Sequence, residues 1–154
     1  MSLILDSTDR KILKYLSRDA RAKVTEIAAY VGMTAAGVHQ RIAKIKKGGF
    51  IDGFSIELNE KSLGYRTCAF VGIFMEKNSH YTEIAEKLKK IDEVVEAHYT
   101  TGVYGLFVKL YARDNDHLME VLNQKIQGIR GITRTETFIS LEEPINRNVS
   151  IPIP

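Results

Sequence analysis

The chain has a single cysteine, Cys68, no tryptophan, and only three prolines, all at or beyond residue 144. One cysteine excludes a disulfide framework within the chain. Its setting in the apolar run TCAFVGIF makes it a buried small hydrophobe rather than a nucleophile or ligand. Nowhere is there the run of about 18 apolar residues that spans a bilayer, and the start MSLILDSTDR lacks a basic segment followed by a long apolar one. The expected setting is a reducing cytoplasm, with no membrane partner. The histidines, His39, His80, His98 and His117, are scattered without metal-ligand spacing. A GxSxG elbow, a phosphate loop and a GxGxxG fingerprint are all missing. No cofactor, metal or catalytic activity is therefore expected, and His98 beside Glu96 reads as an interface contact rather than an acid–base pair. A last absence is local: between Glu26 and Asp52 there is no acidic residue.

What is present is an uneven charge. The 154 residues are 44% hydrophobic, ample for a packed core in one domain or two small ones. The net charge is +3; residues 1 to 60 carry 10 Lys and Arg against 7 Asp and Glu, and residues 61 to 154 carry 12 against 12. The whole excess lies in front, which points to an N-terminal module with an anionic partner.

That module is organised around Val24 to Ile51. Val24, Ile27, Ala28 and Val31 recur at helical spacing and stop at Gly32, a residue able to take the left-handed conformation that ends a helix. Thr34 has the side chain to cap a second helix, whose stripe of Ala35, Val38, Ile42 and Ile45 faces a core. Its opposite side carries Ala36, Gln40, Ala43 and Lys47, flanked by Gly37, His39 and Lys44. A helix-turn-helix reads bases with the first turns of its second helix and meets phosphates with basic residues. Thr34, Ala36, His39 and Gln40 are the base-side candidates. Arg41, Lys44, Lys46 and Lys47 form the basic half, with Arg41, Lys44 and Lys47 the expected phosphate contacts. Lysines alone would only complement the helix dipole; spacing, turn and charge together point to double-stranded DNA. Ahead of this pair, Asp6 or Ser7 caps a first helix with Ile12, Leu13 and Leu16 on one face, completing a tri-helical core. Lys23 leaves the start of helix two weakly specified. Behind it, Asp52-Gly53 between extended runs is a hairpin signal, compatible with a wing beside the groove or with a strand that links domains. Residues 1–58 are thus expected as a winged helix-turn-helix domain, with 59–64 (NEKSLG) as linker.

From Tyr65 the pattern changes to strand (Thr67 to Met75), helix (Tyr81 to Lys90), strand (Val94 to Thr101), strand (Leu106 to Ala112), helix from Asp114 or Asn115, and strand (Ile132 to Leu141). This is the βαββαβ order of a ferredoxin-like sandwich, so the chain as a whole is α+β, with residues 65–154 as its second domain. A sheet with helices on one side leaves its other face bare, which points to a second subunit. The tail from Glu142, with its prolines, is neither helix nor central strand. It is expected to wrap a neighbour or to stay loose.

In this order, the pieces LDSTDRKIL, EIAAYVGMT, VHQRIAKIKKGGFIDG, EAHYTTGVYGLFVK and TRTETFISLEEPI resemble the Lrp/AsnC ("feast/famine") family of transcriptional regulators over nearly the entire chain. YTTGVY looks like the asparagine-responsive branch. The resemblance implies a RAM/ACT-like second domain, homodimers assembled into octamers, and an amino-acid effector held near the β2 to β3 turn. The matching positions are Tyr99, Thr100, Thr101, Gly102 and Tyr104. Leucine-responsive relatives carry acids where this chain has Val103 and Gly105, so a neutral amino acid, asparagine first, is the expected effector. A sequence-specific, nucleoid-associated regulator follows. The rivals are an amino-acid-sensing enzyme or regulatory module on the same ferredoxin-like fold, and a non-specific DNA-packaging protein.

Overall fold

Asp6 opens the first helix, α1 (Ser7–Leu16). Its carboxylate accepts from the Asp9 N–H at 2.8 Å, and the Asp9 carboxylate accepts from the Asp6 N–H at 3.2 Å. Two orphan donors of the helix start are satisfied reciprocally. Helix α2 (Val24–Val31) begins at Lys23 with no side-chain cap, as its sequence suggests, and ends at Gly32 with φ +68°. Helix α3 (Ala35–Lys47) begins where Thr34 Oγ1 accepts from the Gly37 N–H at 3.2 Å. Ile12, Leu13, Ile27, Ala28, Val38 and Ile45 bury themselves between the three helices, with Leu16, Val24, Val31, Ala35 and Ile42 partly buried around them. These are the stripes that the periodicity marks.

The computed structural model describes residues 4–77 and 80–152. They fall into two compact units, residues 4–57 with 145–152, and Leu58–Pro144. Two features of the first unit depart from the sequence reading. The hairpin expected at Asp52-Gly53 does not form: residues 50–58 have no strand assigned. A two-residue turn of that kind needs positive φ at its glycine, and the left-handed conformation is taken by Gly49 (φ +75°), not by Gly53. Residues 145–152, assigned above to the second domain, belong with the first. Ile151 packs against the helical core, Arg10 Nη1 donates to the Pro152 carbonyl at 3.0 Å, and Asn148 Nδ2 donates to the Ser17 carbonyl at 3.4 Å. Proline removes a backbone donor but leaves its carbonyl to accept, so an extended tail can still be pinned by side chains.

One ionic contact ties α3 to α1. Arg41 Nη1 lies 2.6 Å from Asp6 Oδ2 and 2.7 Å from Asp9 Oδ1, and the Asp9 side chain is buried. The Asp9 N–H bond and then the Arg41 hydrogen bond hold the Asp6 carboxyl below its ordinary value. Asp6 and Asp9 in turn raise the Arg41 guanidinium.

In the second unit, β1 (Thr67–Met75), α4 (Tyr81–Leu88), β2 (Val94–Tyr99), β3 (Leu106–Ala112), α5 (Asn115–Glu120, continued by a π-helical stretch Val121–Ile126) and β4 (Ile132–Ile139) follow the expected order. The antiparallel sheet has strand order β2-β3-β1-β4. Ala69, Val71 and Ile73 of β1 and Leu106, Val108 and Leu110 of β3 bury themselves against Ile84, Leu88, Leu118, Val121 and Ile126 of the helices. The alternate residues make the other face. Phe70 stacks on Phe107 (5.8 Å between ring centroids), Phe107 on Tyr104 (5.8 Å), and Phe74 meets Tyr104 edge-on (5.2 Å). Gly72 makes room at the centre, for a Cβ there would lie 2.6 Å from Tyr104 Cγ. Charge sits around the aromatic patch: Lys109 bonds Glu143 at 2.9 Å, and Arg134 pairs with Glu136 at 2.8 Å.

Glu93 anchors the start of β2. Its Oε1 accepts from Lys125 Nζ at 2.7 Å and from His117 Nε2 at 3.2 Å, while His117 Nδ1 accepts from the Arg113 N–H at 3.1 Å. Burial pushes the Glu93 carboxyl up, but Lys125, the local backbone and His117 outweigh it and hold the group below its usual value.

Two measurements test these contacts. Arg41→Ala leaves the buried Asp9 carboxylate without its cationic partner, with only the Asp6 N–H bond remaining, and should destabilise the first unit by about 3 kcal/mol in chemical denaturation. Arg41→Lys should recover only part, because one ammonium does not reproduce the planar fork. For Glu93, a folded-state pKa below the unfolded one means stability that is fully present above the unfolded value and is lost as pH falls through the folded value. Glu93→Gln should cost about 1–2 kcal/mol at neutral pH and flatten the acid limb of a thermal-stability profile.

Candidate nucleic-acid interface and small-molecule hollow

Helix α3 shows solvent a consistent face. Thr34, Ala36, His39 and Gln40 are exposed in its first half, and Ala43, Lys44, Lys46 and Lys47 in its second. Thr34 uses a lone pair to cap the helix and keeps its O–H free to donate. Ala36 adds no bulk, which lets the helix come close to a surface. His39 and Gln40 carry both donors and acceptors, the chemistry that reads base edges. Among the described residues no carboxylate pairs with Lys44, Lys46 or Lys47. Arg41 differs from its expected role: its guanidinium is turned inward onto Asp6 and Asp9, so it holds the helix rather than extending from it. The sequence contained the signal, since Asp6 and Asp9 are the only carboxylates of the first helix, but it did not show that α3 crosses that helix at Arg41.

The second unit has a hollow of about 360 Å³ at the β2 to β3 turn, lined by Phe74, Met75, Tyr99, Thr100, Thr101, Gly102, Val103 and Gly105. Four of the five expected effector residues are there. Tyr104 is not among them. Its ring lies over Gly72 on the aromatic face, and its hydroxyl donates to Glu136 Oε2 at 2.7 Å. Backbone bonds from Thr100 N–H to the Gly105 carbonyl (3.1 Å) and from Gly105 N–H to the Ile73 carbonyl (3.0 Å) fix the turn. Thr100 Oγ1 donates to the Tyr104 carbonyl. Tyr99 is braced by Tyr81, with ring centroids 4.5 Å apart. Phe74 and Met75 were missed because they come from the far end of β1; the register that opposes Ile73 to Leu106 brings them to the turn. No carboxylate, ammonium or guanidinium lines the hollow. A wider trough of about 990 Å³ lies in the first unit between α1, residues 50–57 and the tail. Among the described residues no group of three or more His, Cys, Asp or Glu is placed to hold a metal ion, and no helix is long and apolar enough to cross a membrane.

Comparison with known proteins joins the two sites. Residues 5–46 match the AsnC-type helix-turn-helix domain and residues 68–150 the Lrp/AsnC ligand binding domain. The chain is 41% identical over 145 residues to the regulatory protein AsnC of Haemophilus influenzae, covering 94% of this chain and 97% of that one. It shares 40% identity with the solved structure of Escherichia coli AsnC, at a TM-score of 0.89 over 96% of this chain and 99% of that one. A feast or famine regulatory protein from M. tuberculosis, solved in complex with L-methionine, is 26% identical at a TM-score of 0.89, over 97% of this chain and 100% of that one. A helix-turn-helix with a basic outer face, followed by a ligand-binding sheet domain, has these relatives over nearly its full length: the chain belongs to the Lrp/AsnC family of transcriptional regulators.

Proposed function

We propose that this regulator binds specific duplex sites through α3 and changes that binding when a neutral amino acid, asparagine first, occupies the hollow at the β2 to β3 turn. The observation that carries the DNA reading is the outer face of α3, where Ala36, His39 and Gln40 precede lysines without carboxylate partners. Thr34, His39 and Gln40 meet base edges, Ala36 lies against them, and Lys44, Lys46 and Lys47 meet phosphate. Arg41 acts behind them by fixing the angle of α3 against α1.

The aromatic sheet face supports a homodimer. Phe70, Phe74, Tyr104, Phe107 and Phe138 form an apolar centre with Lys109, Arg134 and Glu136 around it, the distribution typical of a protein interface. A dimer presents two copies of α3 at a fixed separation, so it suits a two-fold-related site. Further assembly into octamers would repeat that geometry along the duplex.

The hollow's chemistry supports a carboxamide side chain. Thr100 donates to Tyr104 and so keeps only acceptor capacity, while the Thr101 hydroxyl has no partner among the described residues. One acceptor beside one available donor complements an amide better than it does a carboxylate. The complex of the M. tuberculosis relative with L-methionine supports an amino acid as the class of ligand. The effector acts on DNA binding only as far as it binds one assembly more tightly than another.

Fluorescence anisotropy with labelled duplexes tests the reading. Lys44→Ala should weaken binding to all sequences and lower the salt slope by about one counterion. Gln40→Ala should instead relax preference at particular base pairs, by about 1–3 kcal/mol each. Affinity that falls with salt yet never distinguishes sequences would make the protein a DNA-packaging factor. Gly102, whose Cβ position is open space, offers the effector test: Gly102→Val should fill the hollow's rim and abolish the response to amino acids while DNA affinity stays within about twofold.

A further inference from the structure

We infer that Met75 sets which amino acid the hollow accepts, by filling with its thioether the space that a side chain at Gly105 would otherwise occupy. The inference deepens the effector reading and rests on it. Its first support is the end of β1, where the pairing with β4 skips Thr133, so the extra residue of the β-bulge lies in β4 and Met75 keeps to the core side of its strand with Ile73. In a strand successive side chains point to opposite faces, so Phe74 and Met75 come to the strand's end from its two sides. Here both Phe74 and Met75 line the same hollow. Met75 also packs against the buried core of the sheet unit, so its inner part is held while its tip reaches the turn.

The second support is the fit at Gly105. A Cβ built there would lie 3.3 Å from Met75 Cγ and 3.5 Å from Sδ, with the terminal methyl closer still. Gly105 does not take a positive φ, so its backbone makes no demand for glycine. The requirement is steric, and Met75 imposes it. Any side chain at 105, an acid included, has to displace the thioether first. The pair therefore presents an uncharged, polarisable wall on three rotatable bonds. At about 360 Å³ the hollow is small for a ligand site. With Met75 as one wall, it favours a short uncharged side chain over a long one.

Isothermal titration of the full chain with L-asparagine and L-methionine reads this as a ratio of affinities. Met75→Ala is expected to move the ratio toward L-methionine by about tenfold or more, the scale on which added or missing methylenes discriminate. Met75→Leu, which keeps most of the volume but lacks the terminal methyl, is expected to move it the same way by less. A double-mutant cycle supplies a second readout. Gly105→Ala should weaken binding about tenfold when Met75 is present, because the displaced thioether enters the hollow. Combined with Met75→Ala, the same substitution should weaken binding less than about threefold. An unmoved ratio in both Met75 variants, or an equal loss from Gly105→Ala with and without Met75→Ala, overturns the gate alone. Failure of the unsubstituted chain to bind any of the twenty amino acids overturns the effector reading, and the gate with it.

Discussion

A four-stranded antiparallel sheet has two faces, and the two helices of this βαββαβ unit cover only one of them. The covered face is aliphatic, built from Ala69, Val71, Ile73, Leu106, Val108 and Leu110. The other is aromatic and centred on a glycine. Gly72 is buried in the middle strand opposite both Phe107 and Glu136, and the absence of a side chain there lets the Tyr104 ring lie flat across β1. The aromatic face is therefore a connected patch, with Phe107 stacked on Tyr104 and with Phe74 and Phe138 meeting Tyr104 edge-on. Aromatic area of this kind is hydrophobic and loses little rotamer freedom when it is covered. Lys109 and its partner Glu143, whose hydrogen bond raises the ammonium above its usual range despite burial, stand at the edge of the patch. On the proposed reading the sheet thus supplies the reason for pairing, and pairing gives two reading helices a defined separation.

The same constraint explains how much of the fold the sequence shows. Elements that depend on their own residues are legible: the cap at Asp6, the left-handed stop at Gly32, the cap at Thr34 and the cap at Asp114, which accepts from the His117 N–H at 2.8 Å. Each is a hydrogen bond or a backbone conformation set within four residues. The hairpin at Asp52-Gly53 is a local signal too, yet it does not form. Local turn chemistry permits a hairpin; ladder partners decide it, and the flanking residues 50–58 pair with nothing among the described residues. The tail is the opposite case. Its sequence offers proline and little else, and its place beside α1 depends on Arg10 and Ser17, more than 130 residues away in the chain.

For the sites, legibility divides along the same line. The exposed run from Thr34 to Lys47 follows from helical angle and charge, both readable from sequence. Arg41 shares that charge but not the role, because a buried Asp9 carboxylate is a stronger partner than water and draws the guanidinium inward. Tyr104 likewise sits in the turn motif and still leaves the hollow, because Gly72 offers its ring a seat on the aromatic face. Phe74 and Met75 reach the hollow through strand register, which has no local signature.

On the proposed reading, the charge pattern of the hollow also constrains how an effector acts. An amino acid brings an ammonium and a carboxylate, and the residues that line the hollow provide no ionised side chain to meet either. Both charged ends remain solvated or are met by backbone dipoles and by groups outside the lining set. Solvated ends contribute little affinity, so a site of this composition binds strongly only where further polar groups close over it. A neighbouring copy of the chain is the source whose arrival also changes the assembly. Ligand and neighbour then stabilise each other's binding by the same free energy, since linkage is reciprocal. An uncharged lining is therefore what makes a metabolite's binding depend on assembly. A hollow that carried its own carboxylate and guanidinium would fill in an isolated chain, and the occupancy would be the same however the reading helices were spaced.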